Sequence, residues 1–322
     1  MEDFVIGIDL GGTNFRLAVV NPQGIIADRM HCPVESGRGK EVILEDLISS
    51  IQTLVKSQIP NQGHLLAAGL GVPGLIRSEE GIVTESPNLQ GWINFDIRTP
   101  TEAALGVPLA IENDANCFAI GEFWRGAAQD ANHACALTLG TGVGGGIILN
   151  GQIWRGTDGM AGEVGHMVIE TDGLPCKCGS RGCLEQYASA TAIRQFAVEA
   201  LMSNGETLLK RWQDNLEELT AEDVFEAARE GDKVAQDLFR KMGYFLGIGL
   251  TNLVNLLNVE MIVLGGKVSS AWEFFIPETE KTVRERAFKV PAQRVQIVKS
   301  ILGDNGGITG AAYLALKRAR SI

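Results

Sequence analysis

The chain has 322 residues, 45% hydrophobic and 21% charged, which is enough for two domains with real cores and ordinary for a soluble globular enzyme. Its net charge of −11 comes without any basic block, which argues against nucleic acid or an anionic membrane as the main partner. No apolar run approaches the ~18 residues of a spanning helix. Met1-Glu2-Asp3 does not read as a signal peptide, and Cys32, Cys117 and Cys135 are too scattered for a disulfide framework, so a reducing cytoplasm is the expected location.

Val5-Ile6-Gly7-Ile8-Asp9 predicts a buried strand, Leu10-Gly11-Gly12-Thr13-Asn14 a turn, and Phe15 to Val20 a second strand. Asn21-Pro22-Gln23-Gly24 then turns the chain into a third strand at Ile25-Ile26-Ala27. Val42, Leu44, Leu47, Ile48, Ile51 and Val55 recur at helical spacing between Val42 and Ser57. Ala67 to Val72 reads as a strand before Pro73-Gly74. Leu109 to Glu112 is a strand that delivers Asn113-Asp114-Ala115-Asn116 to a helix start. The opening plan then returns: a strand over Ala134 to Leu139, a turn over Gly140-Thr141-Gly142-Val143-Gly144-Gly145-Gly146, a strand at Ile147-Ile148-Leu149, a hairpin turn at Asn150-Gly151, and a third strand at Gln152-Ile153-Trp154. This long-range duplication, which is not a solenoid repeat, predicts two lobes of related build. Residues 187–260 read as mainly helical, with one long amphipathic helix from Lys241 to Leu257. Met261 to Leu264 is a strand ending at Gly265-Gly266, Val295 to Val298 is another, and Ile308 to Ala319 is a terminal helix. The expected division is a smaller lobe of 1–115 plus 303–322 and a larger lobe of 116–302.

Four constellations carry chemistry. In Asp9-Leu10-Gly11-Gly12-Thr13-Asn14, glycines after a strand let backbone N–H groups approach an anion, Thr13 and Asn14 add donors, and Asp9 could hold Mg²⁺ through water. A plain hairpin turn explains this run as well. Gly140 to Gly146 has five glycines in seven residues, a high entropic cost for a simple turn and one that a second phosphate clamp would explain, with a bulged hairpin as the alternative. Asp114, between amides at a strand-to-helix junction, could be a helix cap or could accept a proton from a substrate hydroxyl. His166 with Cys176, Cys178 and Cys183 makes a closed tetrahedral zinc set, in which Gly179 and Gly182 let a short loop fold back on a metal. A structural zinc knuckle accounts for those four ligands but leaves Glu163 and Glu185 unexplained. A polyol would use such acceptors, and His166 has a second ring nitrogen to offer; ordinary surface charges are the alternative for Glu163 and Glu185. Asn88, after Ser86-Pro87, lies in a turn that could meet a ligand, although taken alone a plain turn is the favoured reading. Gly265-Gly266 would allow a flat base against the backbone, which a packing turn explains equally well.

Together these residues resemble the ROK family of sugar kinases and regulators, most closely its bacterial glucokinases, over nearly the whole chain. Asp9-Leu10-Gly11-Gly12-Thr13-Asn14 is similar to the family's first phosphate motif, Gly140 to Gly146 to the second, and Gly265-Gly266 to its adenosine motif. Glu112-Asn113-Asp114-Ala115-Asn116 is similar to the segment carrying the catalytic Asp. Cys176-x-Cys178-Gly-x-x-Gly182-Cys183-Leu184-Glu185, with Gly162-Glu163-x-Gly165-His166 upstream, carries the most specific likeness. The resemblance implies an α/β, two-lobed actin-like ATPase and hexokinase (ribonuclease H-like) fold, with sugar and ATP meeting in an interlobe cleft. It implies structural zinc on His166, Cys176, Cys178 and Cys183. It also implies nucleotide contacts from Asp9, Gly11, Gly12, Thr13, Asn14, Gly140, Thr141, Gly142, Gly265 and Gly266. Sugar contacts would come from Asn88, Asn113, Asp114, Glu163, His166 and Glu185. The expected activity is phosphorylation of a hexose by ATP and Mg²⁺, D-glucose at O6 foremost, with Asp114 as general base. A kinase for mannose, N-acetylmannosamine, allose or fructose is the alternative, followed by a non-catalytic sugar sensor. A homodimer or homotetramer is expected. No helix-turn-helix is expected in the short stretch before Asp9.

Overall fold

Val5, Ile6, Ile8 and Leu10 have no exposed surface in the computed structural model of the chain, which describes residues 3–58, 63–86, 88–203 and 206–321. They belong to β1 (Asp3–Leu10), which pairs antiparallel with β2 (Asn14–Val20); β2 in turn pairs antiparallel with β3 (Ile26–Pro33). The helix expected from spacing is α1 (Lys40–Gln58), and the strand after it is β4 (His64–Val72), parallel to β1. A small antiparallel sheet of β5 (Leu75–Arg77), β6 (Ile82–Glu85) and β7 (Ile93–Asp96) follows, then α2 (Arg98–Leu105), β8 (Leu109–Asn113) and α3 (Asp114–Arg125). The first large sheet has the order β3-β2-β1-β4-β8.

That sheet is buried on both faces, which is why β1 and β4 read as near-continuous apolar runs and not as alternating ones. On one face Phe4, Ile6, Ile8, Leu10, Phe15, Leu17, Leu70 and Val72 pack with Leu44, Leu47 and Ile51 of α1. On the other, Val5, Ala18, Val20 and Ala67 pack with Ile308, Ala312 and Ala315 of the C-terminal helix. Glycine is required on this second face. A Cβ on Gly7 would fall 2.3 Å from the carbonyl oxygen of Ile308, and one on Gly69 1.9 Å from that of Ala311.

Downstream come β9 (Ala134–Leu139), β10 (Val143–Leu149) and β11 (Gln152–Ile153), then α4 (Glu185–Ala188), α5 (Ala190–Met202), α6 (Ala221–Arg229) and the 25-residue α7 (Lys233–Leu257). The chain continues through β12 (Met261–Gly265), α8 (Trp272–Arg286), α9 (Lys289–Arg294), β13 (Gln296–Lys299) and α10 (Gly306–Ala319). The second large sheet has the order β11-β10-β9-β12-β13, so both sheets place the three consecutive strands of the repeated plan beside two later parallel ones. The glycine turn is shorter than its composition implies, because β10 begins at Val143. Gly146 is a strand residue; a Cβ there would lie 2.5 Å from that of Ala119 on α3. That glycine serves close packing rather than the turn.

The chain divides into two compact units, one of Met1–Asn132, Gly146–Gly162 and Ile301–Ile322, the other of His133–Gly145 and Glu163–Ser300. Among the described residues no helix is long and apolar enough to cross a membrane.

Candidate functional site

In the first unit, register places Arg16, Asp9, Gly71 and Glu112 in one row across β2, β1, β4 and β8. The row lies near the carboxyl ends of the three parallel strands, where open α/β sheets gather their ligand-binding groups. Its charges are matched at both ends. Arg16 Nη2 is 2.5 Å from Asp9 Oδ2, and Arg155 Nε is 2.6 Å from Glu112 Oε2. Burial pushes the Asp9 carboxyl above its ordinary range; Arg16 opposes the shift and Asp304 adds to it. Asp9 thus meets a guanidinium, a partner the sequence does not announce.

Asp114 is the first residue of α3; its neighbour Asn113 is the helix cap, while Asp114 Oδ1 also accepts from Ala115 N–H at 2.9 Å. Asn113 Oδ1 accepts from the backbone N–H groups of Ala115 at 2.9 Å and Asn116 at 3.0 Å, and Asn113 Nδ2 donates to the carbonyl of Gly74. The Asn113 amide is therefore engaged at both ends by the protein. Gly71 gives α3 room, since a Cβ there would lie 3.2 Å from Cys117 Sγ and 3.5 Å from Asp114 Cα. Asn88 is exposed and adjoins the first glycine turn, its carbonyl oxygen 3.0 Å from where a Gly12 Cβ would stand; Pro87 lies outside the described residues.

In the second unit the Gly140-Thr141-Gly142 turn is enclosed by its neighbours. Gly140 carbonyl accepts from Ala190 N–H at 2.8 Å, Thr141 carbonyl from Thr191 Oγ1 at 2.7 Å, and Val143 N–H donates to Glu185 Oε2 at 3.0 Å. A Cβ on Gly142 would stand 2.2 Å from that same carboxylate oxygen, and one on Gly165 2.1 Å from Val143 carbonyl. Gly265 pairs with Thr138, and Gly266, at φ +82, would bring a Cβ to 2.5 Å from Leu139 carbonyl. The second glycine turn, Gly265-Gly266, Glu185 and the segment carrying Glu163 and His166 are thus contiguous. The protein around Glu163 raises its carboxyl pKa, desolvation being the largest cause, with His166 opposing and Glu185 adding. His166 Nε2 is 4.0 Å from Glu163 Oε2.

The other face of His166 meets thiols. Its Nδ1 is 3.6 Å from Cys176 Sγ, Cys178 Sγ is 3.7 Å from Cys183 Sγ, and the four ligand atoms all lie within 4.8 Å of one another. Ligands about 2.3 Å from a tetrahedral zinc stand roughly 3.8 Å apart, so the set fits the ion in both chemistry and spacing. Gly179 (φ +92) and Gly182 (φ +71) make the loop's reversal possible, and a Cβ on Gly182 would strike Glu170 carbonyl at 1.6 Å. Gln186 Nε2 donates to Cys176 Sγ at 3.6 Å, an outer contact of the kind that steadies a metal ligand.

Arg16, Glu112 and Arg155 escaped the sequence reading. Glu112 left one signal: a carboxylate at the end of an apolar strand, beside a helix start, must be paired if it is buried.

The ROK family profile matches residues 5–318. The chain is 36% identical to a glucokinase of Halalkalibacterium halodurans, over 100% of this chain and 97% of that protein. It is 33% identical to a putative xylose repressor of a Caldicellulosiruptor species, over 97% of this chain and 78% of that protein. Among solved structures, a ROK family glucokinase from Streptomyces griseus in complex with glucose and AMPPNP matches with a TM-score of 0.84 at 32% identity, over 98% of this chain and 99% of that one.

Proposed function

The chain belongs to the ROK family, and we propose that it is an ATP-dependent hexose kinase that phosphorylates D-glucose at O6. The observation that carries this reading is Asp114 at the head of α3, at the carboxyl edge of three parallel strands, with helix capping taken over by Asn113. The carboxylate accepts the O6 proton as that oxygen attacks the γ-phosphorus of Mg²⁺–ATP. The O6–P bond forms, the bond to the β-phosphate oxygen breaks, and ADP leaves. Such transfers depend mainly on position and charge. In this reading the two glycine turns hold the phosphates through the groups left after Gly11 N–H donates to Asn14 carbonyl and Gly140 N–H to Gly142 carbonyl, and Gly265-Gly266 receives the adenosine.

Glu163, His166 and Glu185, with Asn88 and the second Nδ2 hydrogen of Asn113, hold the sugar hydroxyls in this reading. A zinc ion on His166, Cys176, Cys178 and Cys183, when bound, supplies rigidity and a fixed tautomer, having four protein ligands and no open position for water. His166 then donates from Nε2, on the side where Glu163 stands. One Glu185 oxygen serves Val143 N–H, so this residue joins hydroxyl binding to the second glycine turn.

The similarity to a xylose repressor favours a second reading, a sugar sensor without turnover. A panel of glucose, mannose, N-acetylmannosamine, allose, fructose and xylose, assayed for ADP release with ATP and Mg²⁺, separates the two. Glucose is expected to give the highest kcat/KM. Saturable sugar binding with no ADP release from any member would support the sensor instead.

A further inference from the structure

The carboxylate of Glu112 is fully buried and receives donors from three separate stretches of chain. Oε1 accepts from Asn113 N–H at 3.0 Å, Asn116 Nδ2 at 3.1 Å and Ser78 Oγ at 3.2 Å; Oε2 accepts from Arg155 Nε at 2.6 Å. Two of these donors belong to the cap and first turn of α3, on either side of Asp114. Ser78 comes from the β5–β6 turn, and Arg155 from the segment just after β11. A buried carboxylate keeps its charge only if a cation and hydrogen bonds replace its water, and Arg155 is that cation. Its side chain is 33% exposed, against 0% for Glu112.

We infer that Arg155 is a positioning residue: by pairing with Glu112 it fixes the cap and first turn of α3, and so the aim of Asp114. The inference rests on the reading of Asp114 as general base. The chemistry of the network supports a geometric role. Glu112 is sealed from solvent and is committed to four donors, so neither oxygen is offered to a substrate. What the carboxylate does is hold Asn113 N–H and Asn116 Nδ2 in one place, while Asn113 Oδ1 caps the helix from the other side. Without Arg155 the charge on Glu112 is uncompensated, and the carboxylate must turn toward water. That change loosens its bonds to Asn113 and Asn116. Reaction rates are sensitive to sub-ångström misplacement of a catalytic group, by up to roughly a hundredfold for 1 Å.

The test compares Arg155→Ala, Arg155→Lys and the double variant Glu112→Gln/Arg155→Met with the unmodified chain and with Asp114→Asn, using glucose, ATP and Mg²⁺. For Arg155→Ala we expect kcat to fall roughly 10- to 100-fold with the KM for ATP within about twofold, and Arg155→Lys to recover part of the loss. Added guanidinium ion at low millimolar concentration should raise the turnover of Arg155→Ala saturably and leave the unmodified chain unchanged. A purely structural role would lower thermal stability without that split or that rescue. If Arg155→Ala does not fold, the neutral double variant decides, because it removes the uncompensated charge together with the ion pair. A folded double variant with full kcat overturns the inference, and one with kcat reduced at unchanged KM for ATP supports it. Arg155→Ala with normal kcat beside an inactive Asp114→Asn overturns the positioning role alone. A fully active Asp114→Asn removes the base reading, and the positioning role goes with it.

Discussion

Glu185 Oε2 accepts a hydrogen bond from the backbone N–H of Val143 at 3.0 Å. The bond joins the residue that closes the cysteine loop to the turn formed by Gly140, Thr141 and Gly142. Glycine at 142 leaves room for this bond, because a Cβ would stand 2.2 Å from the same oxygen and push the Glu185 side chain aside. In the proposed kinase, one bond therefore couples hydroxyl recognition to the nucleotide turn. Gly142→Ala should displace Glu185 and lower kcat/KM for glucose by roughly ten- to a hundredfold, the kinetic equivalent of losing a hydrogen bond to a charged group. Steady-state kinetics checks this, and unchanged kinetics would show that the bond has no functional weight.

Asp114→Asn keeps the shape of the first turn of α3 and removes the proton acceptor. Turnover is expected to fall roughly 10²–10⁴-fold, with glucose affinity by calorimetry within a few-fold of normal. Near-normal turnover would take Asp114 out of the role of base.

How much of this site could be read in the sequence depended on chain separation. The ligands His166, Cys176, Cys178 and Cys183 are close in sequence, and Gly179 and Gly182 mark the reversal between them, so the metal cluster was legible as a local pattern. The buried strand at β1 and the return of its plan at β9 were legible because a sheet covered on both faces writes itself as an apolar run. The partners of the carboxylates were not legible. Glu112 meets Arg155 and Glu185 meets Val143 only through the folding of distant segments onto one another, and no periodicity links residues that far apart. Counting glycines also misplaced the end of the second turn. Composition groups Gly146 with the turn residues, while in the structure it is the small residue that lets β10 approach Ala119.

Removing metal from the cluster tests whether the loop serves the sugar. After chelation, glucose affinity should fall roughly 10- to 100-fold, while circular dichroism retains most of its helical signal. Gly182→Ala should give the same phenotype with a reduced zinc content, since neither its φ of +71 nor the space beside Glu170 carbonyl accepts a side chain. A metal-free protein with a normal KM for glucose would separate the cluster from recognition.

Asp232, the N-cap of α7, gives a pH signature independent of catalysis. Its carboxyl suffers desolvation, but bonds from Ala235 N–H at 2.8 Å, Leu208 N–H and Thr207 Oγ1 at 2.8 Å outweigh it and hold the pKa below its ordinary 3.8. A lowered folded pKa means that the folded state binds fewer protons than the unfolded one. Its stabilisation is therefore complete above 3.8 and is lost as pH falls through the lower folded value. Asp232→Ala should cost about 1–2 kcal/mol at pH 7, typical of a lost N-cap. Denaturant titration should show that difference narrowing below about pH 4, where proton linkage takes the unmodified carboxylate through its transition. A constant difference between pH 7 and pH 3 would contradict the capping account.

Phosphoryl transfer to O6 of glucose leaves a product whose phosphate position can be read directly. The most direct measurement is phosphorus and carbon NMR of the product formed from ¹³C-labelled glucose, ATP and Mg²⁺. Glucose 6-phosphate and ADP are expected in equal amounts, and Asp114→Asn should form them at a rate roughly 10²–10⁴-fold lower. Glucose that binds and is recovered unchanged, or phosphate found on any other hydroxyl, would contradict transfer to O6.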